Sequence, residues 1–170
     1  GNIKLFVNGT LETLSGNTSQ GTIHAHSNPL YLGYNLSSNG QWMDGEISNL
    51  RITKGQALYT SNFTPSTSAL TTTSQGATES NVKLLCCKSS SSATAADVVP
   101  STITTNGNPA SATYNPFSTT LGAVNFASTG LSSGTGESLT ITGDSSLDLG
   151  SGAFTIEAWV YRDEDAGNTG

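Results

Sequence analysis

The stretch AFTIEAWVYR, residues 153–162, is the most informative segment of this chain for its fold. Two sets of side chains alternate along it: Phe154, Ile156, Ala158 and Val160 in one set, and Thr155, Glu157, Trp159 and Tyr161 in the other. A period of two in β-forming residues predicts a half-buried β-strand. Because a strand needs a neighbour, we expect it to pair either within residues 1–66 of the same chain or with the equivalent segment of another copy.

Composition extends the β prediction to the whole chain. The 170 residues can form one domain with a sizeable core, yet only 34% are hydrophobic and 11% charged. The polar content is mostly Ser, Thr, Asn and Gly, which suits exposed strand faces and turns. The sequence therefore predicts an all-β, antiparallel protein. A net charge of −6 with scattered basic residues argues against nucleic acid as a partner, and no apolar run is long enough to insert into a membrane.

Local signals place several strands and turns. Asn8-Gly9 predicts a tight turn after the strand IKLFV, residues 3–7. The segment PLYLGYN, residues 29–35, predicts a second strand with Tyr31 and Tyr34 on opposite faces. An irregularity is expected near Ser48-Asn49 in the strand that follows.

The segment NVKLLCC, residues 81–87, predicts a strand buried on both faces, because its apolar residues are continuous. It contains Cys86 and Cys87, the two cysteines of the chain. Neighbouring strand residues point to opposite faces, and a bridge between them would be strained. We therefore interpret both as small buried apolar side chains.

Two longer patterns carry a resemblance to a known family. LTITGDSSLDLGSGAFTIEAWVYR, residues 139–162, resembles the opening half of a laminin G-like domain, the concanavalin A-like jelly-roll β-sandwich. IKLFVNGT, residues 3–10, followed by WMDGEISNLRITKGQALYTSNFTP, residues 42–65, resembles its closing half. The second pattern is similar to the version found in tail-fibre and appendage proteins of marine phages.

The resemblance implies an unusual order of parts. Residues 1–66 match the closing half of the sandwich, residues 67–80 form a Ser/Thr-rich linker or surface strap, and residues 81–170 match the opening half. The strands that normally lie between the halves are missing. This order predicts either one repeat of a fibre, completed by a neighbouring copy, or an excerpt of a longer polypeptide.

The function that the resemblance implies is structural and adhesive. We expect a non-enzymatic module of a fibre or filament, on a virion or an extracellular appendage, that contacts other copies of itself and host cell-surface glycans. One alternative is a bacterial extracellular lectin-like adhesin. Another is a relative of the glucanases, which need paired carboxylates, but Glu157 is the only acidic residue along residues 154–162.

Five residues are candidates for carbohydrate binding. Trp42, Tyr31 and Tyr34 could stack on a pyranose ring, and Asp44 and Asn49 could hydrogen-bond its hydroxyls. The alternative is that the aromatic rings pack within the protein itself.

An acidic cluster is the one candidate metal site. Asp163, Glu164 and Asp165 could ligate calcium through their carboxylates, whereas the alternative is a solvated charged turn. No other cofactor is predicted.

Overall fold

The computed structural model describes residues 2–15, 28–35, 41–118, 120–127 and 136–162. Within these ranges the chain forms strands and short 3₁₀ segments. The strands are β1 (Phe6–Val7), β2 (Thr10–Leu11), β3 (Leu30–Leu32), β4 (Tyr34–Asn35), β5 (Gln41–Trp42), β6 (Gly45–Lys54), β7 (Val82–Cys86), β8 (Ala96–Val98), β9 (Ile103–Asn106), β10 (Ala110–Ala112), β11 (Ala123–Phe126), β12 (Ser138–Ile141) and β13 (Phe154–Arg162). The 3₁₀ segments are Ser74–Gly76, Glu79–Asn81 and Ser145–Leu147. All strand pairs within the described residues are antiparallel, which confirms the predicted all-β class.

Strand β6 is the centre of the larger sheet. β13 pairs with β6 along its full length, so the strand predicted at residues 153–162 finds its neighbour within the same chain. β7 and β11 pair with the two ends of β6 in succession and share its other edge. Gly122, just before β11, donates its amide hydrogen to the carbonyl of Lys88, just after β7, at 2.8 Å. This hydrogen bond links the end of β7 to the start of β11.

A β-bulge in β6 confirms the irregularity predicted near Ser48-Asn49. The register with β13 shifts between Glu157 and Trp159, where β6 has one residue more than its partner. Asn49 supplies the bend with a left-handed φ of 55°. The Asn8-Gly9 turn is confirmed as well, since both residues have positive φ and join β1 to β2.

The core lies between the larger sheet and a second sheet of order β3-β12-β9. Its buried side chains come from both layers and include Phe126, Leu84, Leu139 and Ile141. This face-to-face packing makes the protein a β-sandwich.

The outer face of the larger sheet is covered by the segment that follows residue 66. Leu70 is fully buried and packs with Ala77, Val82 and Leu85 in a second apolar cluster. β7 thus contributes to both clusters, which confirms the predicted burial of residues 81–87 on two faces. The prediction that the 67–80 segment joins two halves of a laminin G-like sandwich stays a prediction.

The cysteines are free and buried, as predicted from their adjacency. Their sulfur atoms lie 3.5 Å apart, well beyond the roughly 2.05 Å of a disulfide bond. Both side chains nevertheless enter the same core cluster, because Cys87 leaves the strand with a φ of 59°. The hydrogen bond with Cys86, followed by burial, raises the pKa of the Cys87 thiol. These cysteines therefore act as core residues.

Candidate functional site

Three of the predicted carbohydrate-binding residues meet in one aromatic cluster, formed by Tyr31, Tyr34 and Trp42. The prediction that Tyr31 and Tyr34 lie on opposite faces of a single strand is wrong, because the chain bends between β3 and β4 at Gly33. Gly33 has a φ of +81°, and a Cβ there would lie 2.6 Å from the Phe126 ring. The bend brings the two tyrosine rings to a centroid distance of 5.7 Å.

The β4-β5 hairpin aligns the cluster. Tyr34 lies directly opposite Trp42, and their rings stack with centroids 4.2 Å apart and an interplanar angle of 27°. Tyr31 meets Tyr34 at 84°, in an edge arrangement. Each stacked or edge-to-face pair of rings stabilises the fold by about 0.5–1.5 kcal/mol, in addition to the contribution of its buried apolar area. The three rings therefore form a preorganised aromatic surface, with each residue only partly buried.

Trp42 packs closely against the backbone at Gly136. A Cβ on Gly136 would lie only 1.8 Å from Trp42 Cδ2, so the glycine allows the indole to pack directly against the backbone. The indole Nε1 is buried without a hydrogen-bond partner among the described residues. Trp42 is therefore fixed by its own packing, and Tyr34 stacks on it.

Polar residues flank the aromatic residues in the hairpin sequence. Asn35 and Gln41 form the next cross-strand pair, so they are exposed on the face opposite Tyr34 and Trp42, where the Asn35 amide donates to Gln41 Oε1 at 3.3 Å. Asp44 is partly buried and follows Trp42 by two residues. Amide and carboxylate groups at the edge of an aromatic surface are the groups that orient a sugar through its hydroxyls.

Asn49 lies apart from this cluster. It is fully buried at the β6 bulge, where Nδ2 donates to Ser48 Oγ at 2.9 Å and Oδ1 accepts the Leu70 amide at 3.1 Å. Its amide thus holds the 67–80 segment against the sheet. The Asn49 side chain therefore has no exposed surface to offer a sugar.

The acidic cluster of Asp163, Glu164 and Asp165 lies outside the described residues, so calcium binding there stays a prediction. Within the described ranges, no three side chains of His, Cys, Asp or Glu are grouped closely enough to hold a metal ion.

Glu157 belongs to a polar network inside the protein. Arg51 Nε and Nη2 both donate to Glu157 Oε1, at 2.8 and 2.6 Å. The Tyr59 hydroxyl donates to Glu157 Oε2 at 2.8 Å. Arg51 Nη1 reaches the carbonyls of Thr71 and Ser74 at 2.7 and 2.9 Å. The network therefore joins β6, β13 and the 67–80 segment.

Sequence reasoning missed this network, although one signal was present. Arg51 lies between Leu50 and Ile52 and so on the opposite face of β6, and a charge that is buried there needs an acidic partner on a neighbouring strand. Glu157 is the only acidic residue of β13. The cross-strand pairing of Arg51 with Glu157 supplies that partner.

The network predicts a pH dependence of stability above pH 10. Burial, followed by the hydrogen bond to Glu157, raises the pKa of Tyr59 above its ordinary value of 10.0. The folded state thus holds the Tyr59 proton more tightly than the unfolded chain does. This contribution to the free energy of unfolding is complete below about pH 10 and is lost as the pH rises through the folded-state pKa.

Urea unfolding at about pH 8 and pH 11 measures this effect. Wild type should lose more stability over this interval than Tyr59→Phe, which has no hydroxyl to titrate. Tyr114→Phe, at an exposed tyrosine, should follow wild type. Equal losses in wild type and Tyr59→Phe would contradict the assignment.

Together the fold and the aromatic cluster define an all-β sandwich protein with an aromatic surface patch. In comparisons with known proteins, no family model, no curated protein and no solved structure matches the chain. No helix in the described part of the chain has the length and apolar character needed to cross a membrane.

Proposed function

We propose that the protein is a non-enzymatic structural and adhesive module of a fibre or filament, of the kind found in phage tail fibres, and that it binds glycans on a host surface. Its sandwich would then be a laminin G-like jelly roll on a virion or extracellular appendage. The observation that carries the proposal is the preorganised aromatic surface of Tyr31 and Tyr34, supported by Trp42.

The chemistry of this surface fits a sugar. The apolar C–H face of a pyranose packs on an aromatic ring, and its hydroxyls bond to amide and carboxylate groups at the ring edge. Asp44, which follows Trp42 by two residues, is the carboxylate we assign to this role. A single shallow contact of this size binds weakly. Repetition along a fibre would raise the effective concentration and hence the avidity.

The Arg51–Glu157 pair favours binding over glycoside hydrolysis. If the protein were a glucanase, Glu157 would be the catalytic carboxylate on β13. Its two oxygens accept hydrogen bonds from Arg51 and Tyr59 instead. A general acid needs access to the glycosidic oxygen of the substrate. Because both Glu157 oxygens accept hydrogen bonds inside the protein, Glu157 is suited to a structural role.

Retention on immobilised polysaccharides tests the proposal. We expect wild type to be retained by at least one member of a panel of bacterial and algal polysaccharides, without release of reducing ends. Tyr31→Ala should weaken binding by about fivefold, corresponding to about 1 kcal/mol of lost stacking. Tyr34→Phe keeps the ring and should retain most of the affinity.

The matched control is Tyr114→Ala, which removes a tyrosine that is 62% exposed and lies outside the cluster. It should bind like wild type. Retention that is unchanged in Tyr31→Ala would place the ligand elsewhere, and release of reducing ends by wild type but not by Glu157→Gln would favour the enzyme instead.

A further inference from the structure

A small cavity lies on the outer face of the larger sheet, and we call it the outer-face cavity. Trp159 of β13 lies opposite Ser48 of β6, and it also packs against the apolar cluster of Leu70. Two residues further along β13, Tyr161 lies opposite Glu46. Cross-strand partners project from the same face of a sheet, so these side chains share the outer face and line the cavity there.

Aromatic side chains from two parts of the chain form the walls of this cavity. Tyr114 follows β10, and its ring meets that of Tyr161 with centroids 5.2 Å apart and an interplanar angle of 58°, so the two rings form a corner. Trp159 adds a further wall. Tyr114 and Tyr161 are 62% and 48% exposed, so a ligand can reach the corner from solvent.

Contacts within the protein hold these walls in place. Asn115 fixes the loop that follows β10, because its Nδ2 donates to the Ser118 carbonyl at 2.7 Å and its Oδ1 accepts the Phe117 amide at 2.9 Å. The Phe117 ring in turn packs edge-on against Trp159, with centroids 4.8 Å apart. A preorganised site loses little conformational entropy when a ligand binds.

The size of the cavity limits the ligand. Its volume is about 270 Å³. Pockets for drug-sized molecules measure about 300–1,000 Å³, so this cavity has room for a small molecule or a single head group.

The charge of the lining favours a cation. Glu46 contributes a carboxylate, and among the described residues that line the cavity none is Lys, Arg or His. Arg162, which follows Tyr161, pairs with Gly45 and so lies on the opposite face of the strand. The faces of aromatic rings are negative and attract positive charge. The net charge of −6 on the whole chain adds to this preference.

We propose that the outer-face cavity binds a quaternary ammonium group, with its methyl groups against Tyr114, Tyr161 and Trp159 and its positive charge balanced by Glu46. Such a group has no N–H to donate, so it gains most from apolar contact combined with the negative faces of several rings. These residues are different from those of the aromatic cluster of Tyr31, and the inference does not rest on the proposed glycan binding.

Titration of choline into the full chain tests this inference. Proton NMR follows the N-methyl signal, and we expect a saturable upfield shift because protons above aromatic rings are shielded. The matched probe is the neutral carbon analogue of choline, in which a tert-butyl group replaces the trimethylammonium group. It has the same shape without the charge, and it should bind about tenfold more weakly.

Variants of the cavity locate the binding. Tyr114→Ala and Tyr161→Ala should each weaken choline binding by about fivefold, whereas Tyr161→Phe keeps the ring and should bind like wild type. Glu46→Gln should weaken it by about threefold. The matched control is Glu79→Gln, at an exposed carboxylate that does not line the cavity, and it should bind like wild type. Thermal unfolding checks that all the variants remain folded.

Vesicles of phosphatidylcholine distinguish the two sources of such a group. Co-sedimentation that Tyr161→Ala abolishes would support the site and assign the group to a lipid surface. Binding of choline without co-sedimentation would support the site and assign the group to a soluble molecule.

Three results would overturn the proposal. The first is absence of a saturable shift with wild type. The second is equal binding of choline and its neutral analogue, which would remove the role of charge. The third is equal choline binding by wild type and both alanine variants, which would place the cation elsewhere. Because Tyr114→Ala should lose choline while it keeps the polysaccharide retention of wild type, failure here is distinguishable from failure of the glycan proposal.

Discussion

Replacing Arg51 by alanine is expected to lower the free energy of unfolding by about 3–5 kcal/mol, the usual cost of removing one partner of a buried ion pair. The Arg51 side chain is fully buried, and that of Glu157 is 15% exposed. The substitution leaves the Glu157 carboxylate with only Tyr59 as a side-chain donor. It also removes the donors to the carbonyls of Thr71 and Ser74, so the 67–80 segment loses an anchor.

Urea unfolding at neutral pH measures this loss, provided that wild type unfolds in one transition. The matched control is Asp97→Asn, which breaks the Lys88–Asp97 ion pair, whose carboxylate side chain is 56% exposed. An exposed pair should contribute less than about 1 kcal/mol. A similar loss in Arg51→Ala and Asp97→Asn would contradict the burial argument.

A double variant separates pairing from packing. Arg51→Met with Glu157→Leu replaces both charges by apolar side chains of similar volume, and it should be much closer to wild type than Arg51→Ala. If the double variant were as unstable as Arg51→Ala, the hydrogen bonds of Arg51 to the 67–80 segment would be the larger contribution.

Replacing Leu70 by alanine should cost about 2–5 kcal/mol. Leu70 is fully buried beneath the outer face of the larger sheet, in a cluster with Ala77, Val82 and Leu85. Its removal leaves a cavity that the sheet cannot fill. The backbone contact of Leu70 with Asn49 Oδ1 should survive, because it involves the amide and not the side chain.

Chemical unfolding and limited proteolysis together test this prediction. We expect Leu70→Ala to lower the urea midpoint and to increase cleavage within residues 67–80. Leu11→Ala, at a leucine that is 40% exposed, is the matched control and should change the midpoint little. Wild-type stability in Leu70→Ala would show that the segment is not part of the cooperative fold.

Much of the local structure could be predicted because local rules determine it. Asn8-Gly9 turns the chain since both residues tolerate the left-handed conformation that a tight hairpin requires. The alternation in residues 153–162 predicts β13, whatever its partner. The continuous apolar run of residues 81–87 predicts burial on both faces, because no face of that strand could be left in water.

The aromatic site could be predicted only in part. Tyr31, Tyr34 and Trp42 were identified by type, and their grouping depends on the bend at Gly33 and on the β4-β5 pairing. Asn49 has the right chemistry for a sugar, yet its backbone forms the β6 bulge and its amide is buried. Residue type indicates what a side chain can do, and the path of the chain decides whether it is accessible.

By itself, the sequence determined the all-β class, the turns and the strands with clear periodicity, because these follow from backbone sterics and from which side chains water excludes. Only the tertiary structure decided that Arg51, Glu157 and Tyr59 form one network, that Leu70 covers the outer face, and that Ile156 and Val160 remain exposed. Those outcomes depend on which strands pair and in which register. The residue pattern of one strand restricts which strands can pair with it but does not select a single partner. Any strand with a free edge and a matching apolar face is physically acceptable as a neighbour.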